Sequence, residues 1–268
     1  MWKAVQRFAS NQSGKDYVIG DIHGAYDSII AAMRKVRFNP AVDRIFSVGD
    51  LVDRGAGSHR VLQFLAQPYV YAIRGNHEDM ILNMHADGEP HAAEVRFMVQ
   101  RNGFGWWLSA SQADKLAILE AFRQLPVIIE VETHRGLVGM VHGDVPKGMD
   151  WQTFVSQVEA GDRKTLKTAL WGRERIEQEN SDGVPGVGRI FVGHTPQWGG
   201  LRRFGNVYAV DTGAVFAEQG HKDVDARQTM VELSTATQVL DFKKAPTLLD
   251  IRDTPPDVLR PFGNYVTA

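Results

Sequence analysis

Three β-rich, mostly apolar runs in this chain, 17–20, 44–48 and 69–73, each lead directly into a string of glycines and ionisable residues: GDIHG at 20–24, GDLVDRG at 49–55 and GNHE at 75–78. The stretches between them have helical spacing. Ile29, Ile30, Met33 and Val36 share one face of 26–36, and Val61, Leu62 and Leu65 share one face of 58–66. This β-α-β-α-β order predicts a parallel sheet with crossover helices. In such sheets the groups that do chemistry collect beyond the carboxyl ends of the strands. All three strings lie there.

The rest of the chain continues in mixed α/β style. Residues 77–125 read as mostly helical, with segments at 80–84, 94–100 and 112–122 interrupted by NGFGWW at 102–107. After Pro126, 127–131 and 137–141 alternate as an antiparallel pair about a turn at 133–136. Helices are predicted at 151–160 and 163–171, short strands at 189–192 and 207–210, and two further strands within 226–242. From Lys243 the pattern weakens. The expectation is one domain over 1–268, with a core of about 15–242 and an appended tail at 243–268.

Composition narrows the chemistry. The chain has no cysteine, so a metal must be held by Asp, Glu, His or Asn, and no disulfide framework exists. A formal net charge of -2 gives no basic excess for nucleic-acid binding. No apolar run approaches the ~18 residues of a membrane span. Residues 1–16 are mixed and polar rather than leader-like. The expectation is a cytoplasmic protein that binds neither nucleic acid nor membrane; its oligomeric state is not legible.

A phosphate ester resists hydrolysis because its negative charge repels nucleophiles. Two divalent cations about 3.5–4 Å apart overcome this by activating water and neutralising the phosphoryl oxygens. Asp21, His23, Asp50, Asn76, His142 and His194 are the oxygen and imidazole donors such a pair needs, and each follows an apolar strand-like run. Such donors suit manganese, iron or zinc.

These strings, followed in order by VHGD around His142 and GHTP around His194, resemble the phosphoprotein phosphatase branch of the calcineurin-like metallophosphoesterases. WGRERI at 171–176 and DTGAVF at 211–216 resemble its bacteriophage lambda-type serine/threonine members, over about 15–218. The resemblance implies an α/β (α+β) fold, an αββα sandwich of two mixed β-sheets flanked by helices, with a helical cap segment. It implies two divalent metal ions, Mn2+ first among them. Asp21 and His23 would hold one, Asp50 would bridge, and Asn76, His142 and His194 would hold the other. It further implies that His77 protonates the leaving group, that Asp53 orients His77, and that Arg54 and Arg173 grip the phosphate. The reaction would be direct attack by a metal-bridging hydroxide on a phosphoserine or phosphothreonine monoester, with phosphotyrosine also open. The substrate partner would be a phosphoprotein or phosphopeptide.

Two other readings compete. Symmetrical diadenosine tetraphosphatases share the metal motifs, but that branch typically reads VARGP and GNHD where this chain has VDRGA and GNHE. A silent binding module should have lost a ligand, and none is missing. Gly172 and Gly143 depart from the lambda type, which has Asn and Ala there. Asp211 and Asp144 read as supporting turn residues. His59, His85, His91, His134 and His221 lie outside the motifs and read as surface or loop residues. Of the adjacent Trp106 and Trp107, at least one is expected in the core.

Overall fold

A computed structural model of the protein describes residues 3–233. The chain opens with β1 (Val5–Phe8) and enters the expected alternation: β2 (Asp16–Ile19), α1 (Tyr26–Lys35), β3 (Arg44–Ser47), a 3-10 turn at Ala56–Arg60 running into α2 (Val61–Leu65), and β4 (Val70–Ala72). A helical segment follows, α3 (Asn76–Met84), α4 (Ala92–Asn102), α5 (Gly105–Ser109) and α6 (Gln112–Gln124). The second half contains β5 (Ile128–Thr133), β6 (Gly136–Val141), α7 (Trp151–Glu159), α8 (Arg163–Trp171), α9 (Glu174–Glu177), β7 (Arg189–Val192), β8 (Arg202–Phe204), β9 (Val207–Ala209), α10 (Ala214–Glu218) and β10 (Met230–Glu232).

Local chemistry accounts for the helix boundaries. In α1, Asp27 sits in the first turn and Arg34 and Lys35 in the last, which complements the helix dipole. Ser111, Asp150 and Asp162 cap α6, α7 and α8 by accepting the amides of Asp114, Thr153 and Thr165. The NGFGWW break holds the short helix α5, and Gly103 ends α4 in the left-handed region.

The strands form two mixed sheets, β10-β2-β3-β4 and β1-β5-β6-β7-β9-β8. β2, β3 and β4 pair in parallel, as the crossovers require. β5 and β6 form the expected antiparallel pair. Side-chain alternation then sorts the core into layers. Val18, Phe46, Ile129, Val138, Met140 and Phe191 pack between the sheets. Ile19 and Ile45 face α1–α6 on one outer side, and Ile128, Ile190 and Val192 face α7 and α8 on the other. This is an αββα sandwich, with α3–α6 as the helical segment over one end.

β1 and β8 are additions to the sequence expectation. VQRF is unremarkable alone, but it pairs in parallel with Ile128–Val131 while Arg7 reaches Glu130 at 2.8 Å. Of the two strands expected within 226–242, Met230–Glu232 forms one; residues 234–242 and the tail at 243–268 lie outside the described residues. No helix among the described residues is long and apolar enough to cross a membrane.

Candidate metal centre

Every predicted ligand sits just past the carboxyl end of a strand: Asp21 and His23 after β2, Asp50 after β3, Asn76 after β4, His142 after β6 and His194 after β7. The sandwich therefore brings loops from both sheets to one edge. All six residues are buried. Asp50 lies at their centre. Its Oδ2 is 3.5 Å from His23 Nε2 and 3.8 Å from His77 Nε2, while its Oδ1 is 3.3 Å from His142 Nε2. Two groups able to hold a cation share it, His23–Asp50–His77 and Asp50–His142–His194. Asn76 Oδ1 stands 2.8 Å from His142 Nε2, and Asp21 Oδ2 accepts the His194 amide at 2.9 Å.

The backbone is forced into this arrangement. His23, Asp50, Asp53, Arg54 and His194 all have φ between 46° and 73°, the left-handed region that non-glycine residues avoid. Such conformations cost about 1–3 kcal/mol each and persist only where surroundings over-determine them. At Asp50 that determination comes from Glu78. Fully buried, its carboxylate accepts the amides of Gly75, Asp50 and Leu51 at 2.8, 3.0 and 2.8 Å. Gly75 has to be glycine, because a Cβ there would collide with the Asp50 amide and carboxylate.

Hydrogen bonds also fix which imidazole nitrogens face inward. Nδ1 of His23 and of His142 lie 2.7 Å from the carbonyls of Val52 and Val48. Nδ1 must donate there, so Nε2 is left with its lone pair toward Asp50. Burial, then Asp211 and Asp50, pushes the Asp21 carboxyl well above its usual range. Burial and the neighbouring His142 push the His194 imidazole down to about 3. Asp21 Oδ1 and His194 Nε2 are buried without a hydrogen-bond partner. Orphaned buried polar atoms are rare, and a bound cation would satisfy both. The residues fit a metal pair.

The remaining candidates surround this centre. His77 Nδ1 lies 2.6 Å from Asp53 Oδ2, so its Nε2 also points inward. The Arg54 guanidinium contacts His23 Nε2 and lies 3.3 Å from His77 Nε2. Arg173 comes from the opposite side and donates to the His194 carbonyl and Thr195 Oγ1 at 3.2 and 3.1 Å. Asp211 caps the Gly213 amide at 3.0 Å, and burial raises its carboxyl to about 6. Asp144 is committed to Arg175 Nε at 2.8 Å. Both are supporting turn residues.

Trp106 holds a place that its sequence does not show. Trp107 is the core residue of the pair, while Trp106 Nε1 donates to Asp53 Oδ1 at 2.7 Å. With Asn102 O accepting the Arg54 amide at 3.0 Å, the helical segment grips the Asp53–Arg54 loop. The sequence signal was slight: a Trp beside a glycine break, with a polar nitrogen that a buried indole has to satisfy.

Comparison with known proteins agrees with this arrangement. Residues 17–224 match the family model described as calcineurin-like phosphoesterase. The chain is 35% identical over 223 residues to serine/threonine-protein phosphatase 1 of Salmonella typhimurium, covering 80% of this chain and 93% of that protein. It is 34% identical over 139 residues to the symmetrical bis(5'-nucleosyl)-tetraphosphatase of Escherichia coli, covering 51% and 46%. A crystal structure of a putative diadenosine tetraphosphatase superimposes with a TM-score of 0.55 at 18% identity, over 87% of this chain and 94% of that one, which is a likeness of fold. The ligand-bearing loops, their shared edge and these matches together place the chain among the calcineurin-like phosphoesterases, a family built on a dinuclear divalent metal centre.

Proposed function

We propose that this phosphoesterase is a serine/threonine protein phosphatase, acting on phosphoserine and phosphothreonine in proteins. The observation that carries the reading is the Asp53–His77 pair. The 2.6 Å contact fixes one nitrogen of His77, and Trp106 holds the other oxygen of Asp53. Such a pair suits a substrate whose leaving group is a serine or threonine alkoxide, which departs only if it receives a proton.

In this reading Asp21, His23 and Asp50 would hold one metal ion and Asp50, Asn76, His142 and His194 the other, with manganese as the working metal. Bound there, two divalent cations would supply the Lewis acidity that activates water and neutralises the phosphoryl charge. His77 delivers its Nε2 proton to the departing oxygen. Asp53 keeps the ring turned inward. Arg54 and Arg173, on opposite sides of the centre, orient the phosphoryl group through planar donor pairs. Left-handed backbone at Asp53 and Arg54 aims both side chains at the same edge.

The runner-up is symmetrical cleavage of a dinucleoside tetraphosphate, and the partial similarity to the Escherichia coli tetraphosphatase is its support. Manganese-loaded protein and its His77→Asn variant, assayed on a phosphoserine peptide, test the proposal. We expect metal-dependent release of phosphate that falls by orders of magnitude in the variant. Full activity of His77→Asn would overturn the acid role.

A further inference from the structure

A groove of about 440 Å³ adjoins the metal centre between α8 and the loop that leads to Asn76. Trp171 belongs to both places: it lines the groove, and its ring lies 5.9 Å from the His194 ring in an edge-on arrangement. Arg74, on the other wall, stands two residues before Asn76 and is engaged by Asp79 at 3.6 Å. Val127 and Leu166 supply an apolar floor. Arg163 and Lys167 complete the lining, and both are exposed. Neither forms an ion pair among the described residues, although every other charge in the groove does.

The spacing of these side chains is the informative part. Arg163, Lys167 and Trp171 follow one another at intervals of four residues on α8, so they line one helix face about 6 Å apart. Alternate side chains of an extended peptide point the same way and repeat at about 6.6 Å. The two rulers match. A chain laid along α8 from the metal centre would present one side chain to Trp171, the next on that side to Lys167, and the next to Arg163. The cations stand a full helical turn apart, which suits alternate side chains better than the adjacent phosphates of a nucleotide.

We propose that this groove reads the segment of a phosphoprotein substrate that flanks the phosphoresidue, and that it selects an extended chain carrying acidic side chains at alternate positions. An apolar or aromatic residue would sit against Trp171, with Asp or Glu two and four residues beyond it. The inference rests on the protein-phosphatase reading and adds a substrate class to it. Arg163 and Lys167 act on selection and take no part in the chemistry at the metal centre.

The test uses the full metal-loaded chain and phosphoserine peptides of equal length, with Glu or Lys at alternate positions on either side of the phosphoresidue. The quantity read is the ratio of kcat/KM for the Glu peptide to that for the Lys peptide, which cancels any general loss of activity in a variant. The wild-type ratio should reach roughly tenfold at low salt on one side of the phosphoresidue and shrink as salt rises. In Arg163→Glu/Lys167→Glu it should fall to about one or invert. A wild-type ratio near one, or an equal ratio in the variant, would overturn the proposal. Loss of diadenosine tetraphosphate turnover in the variant, with the peptide ratio unmoved, would assign the groove to a nucleotide and also overturn it. If p-nitrophenyl phosphate is hydrolysed but no peptide is, the protein-phosphatase reading fails and this one falls with it. That pattern differs from cleavage without preference, which sinks the groove proposal alone.

Discussion

Trp106→Phe isolates the support behind the proposed proton donor. Asp53 has no exposed surface, and its two oxygens divide their bonds between His77 Nδ1 at 2.6 Å and Trp106 Nε1 at 2.7 Å. Phenylalanine keeps an aromatic ring against Phe104 and Trp107 but removes the donor. A hydrogen bond to a charged group contributes about 1.5–3 kcal/mol, and a buried oxygen left unmatched costs its desolvation as well. If that energy serves to hold the Asp53–His77 pair in place, kcat falls by about 10- to 150-fold at ~1.4 kcal/mol per factor of ten. The assay compares a phosphoserine peptide with 2,4-dinitrophenyl phosphate, whose leaving group departs as a stable anion without a proton. The peptide rate should drop while the dinitrophenyl rate barely changes. An equal drop on both substrates would show that Trp106 acts through general loop geometry. No drop on either would refute the account of the pair.

Three further outcomes follow from the same geometry. Glu78→Gln places an amide nitrogen against backbone donors that now share a carboxylate. It should lower stability by about 1–3 kcal/mol and weaken manganese binding, both readable by thermal melts with and without metal, and wild-type behaviour would contradict the bracing role. Because Asp21 Oδ1 and His194 Nε2 are buried and unpartnered, metal at a hundredfold excess over Kd should stabilise the fold by about 2.7 kcal/mol and raise Tm by roughly 5–10 °C; chelator should reverse it, and a Tm indifferent to both would argue against a site here. Burial, then Glu232 and Asp43, raises the Tyr17 phenol above its ordinary value. The folded state keeps this proton after the unfolded chain has lost it, so stability falls as pH rises past about 10. Tyr17→Phe should flatten that decline in urea melts, and an unchanged slope would count against it.

The donors of the candidate centre were legible because each ends an apolar run, and a strand's end fixes where its next residue points. Asp21, Asp50 and His194 need only that rule to be brought to one edge. The left-handed backbone of Asp50 and His194, at φ 50° and 67°, was not legible, since most Asp and His residues have negative φ. It is imposed by partners distant in the chain, such as Glu78 on the Asp50 amide. Trp106 was missed for the same reason: its bond to Asp53 spans 53 residues. β1 eluded the pattern because VQRF becomes a strand only through its pairing with Ile128–Val131. The inter-sheet core was not visible: the run 17–20 reads as a strand, but only the observed stacking puts Val18 in one buried layer with Phe46 and Phe191. The helices α7 and α8 lie within a residue of the expected bounds, and each starts at an Asp cap, which is a local signal.

The most direct test of the central claim is a side-by-side measurement of kcat/KM for a phosphoserine peptide and for diadenosine tetraphosphate, on one manganese-loaded preparation. The Asp53–His77–Trp106 arrangement predicts that the phosphopeptide is turned over faster. Faster cleavage of the dinucleotide would contradict the protein-phosphatase assignment and leave only the two-metal phosphoesterase centre standing.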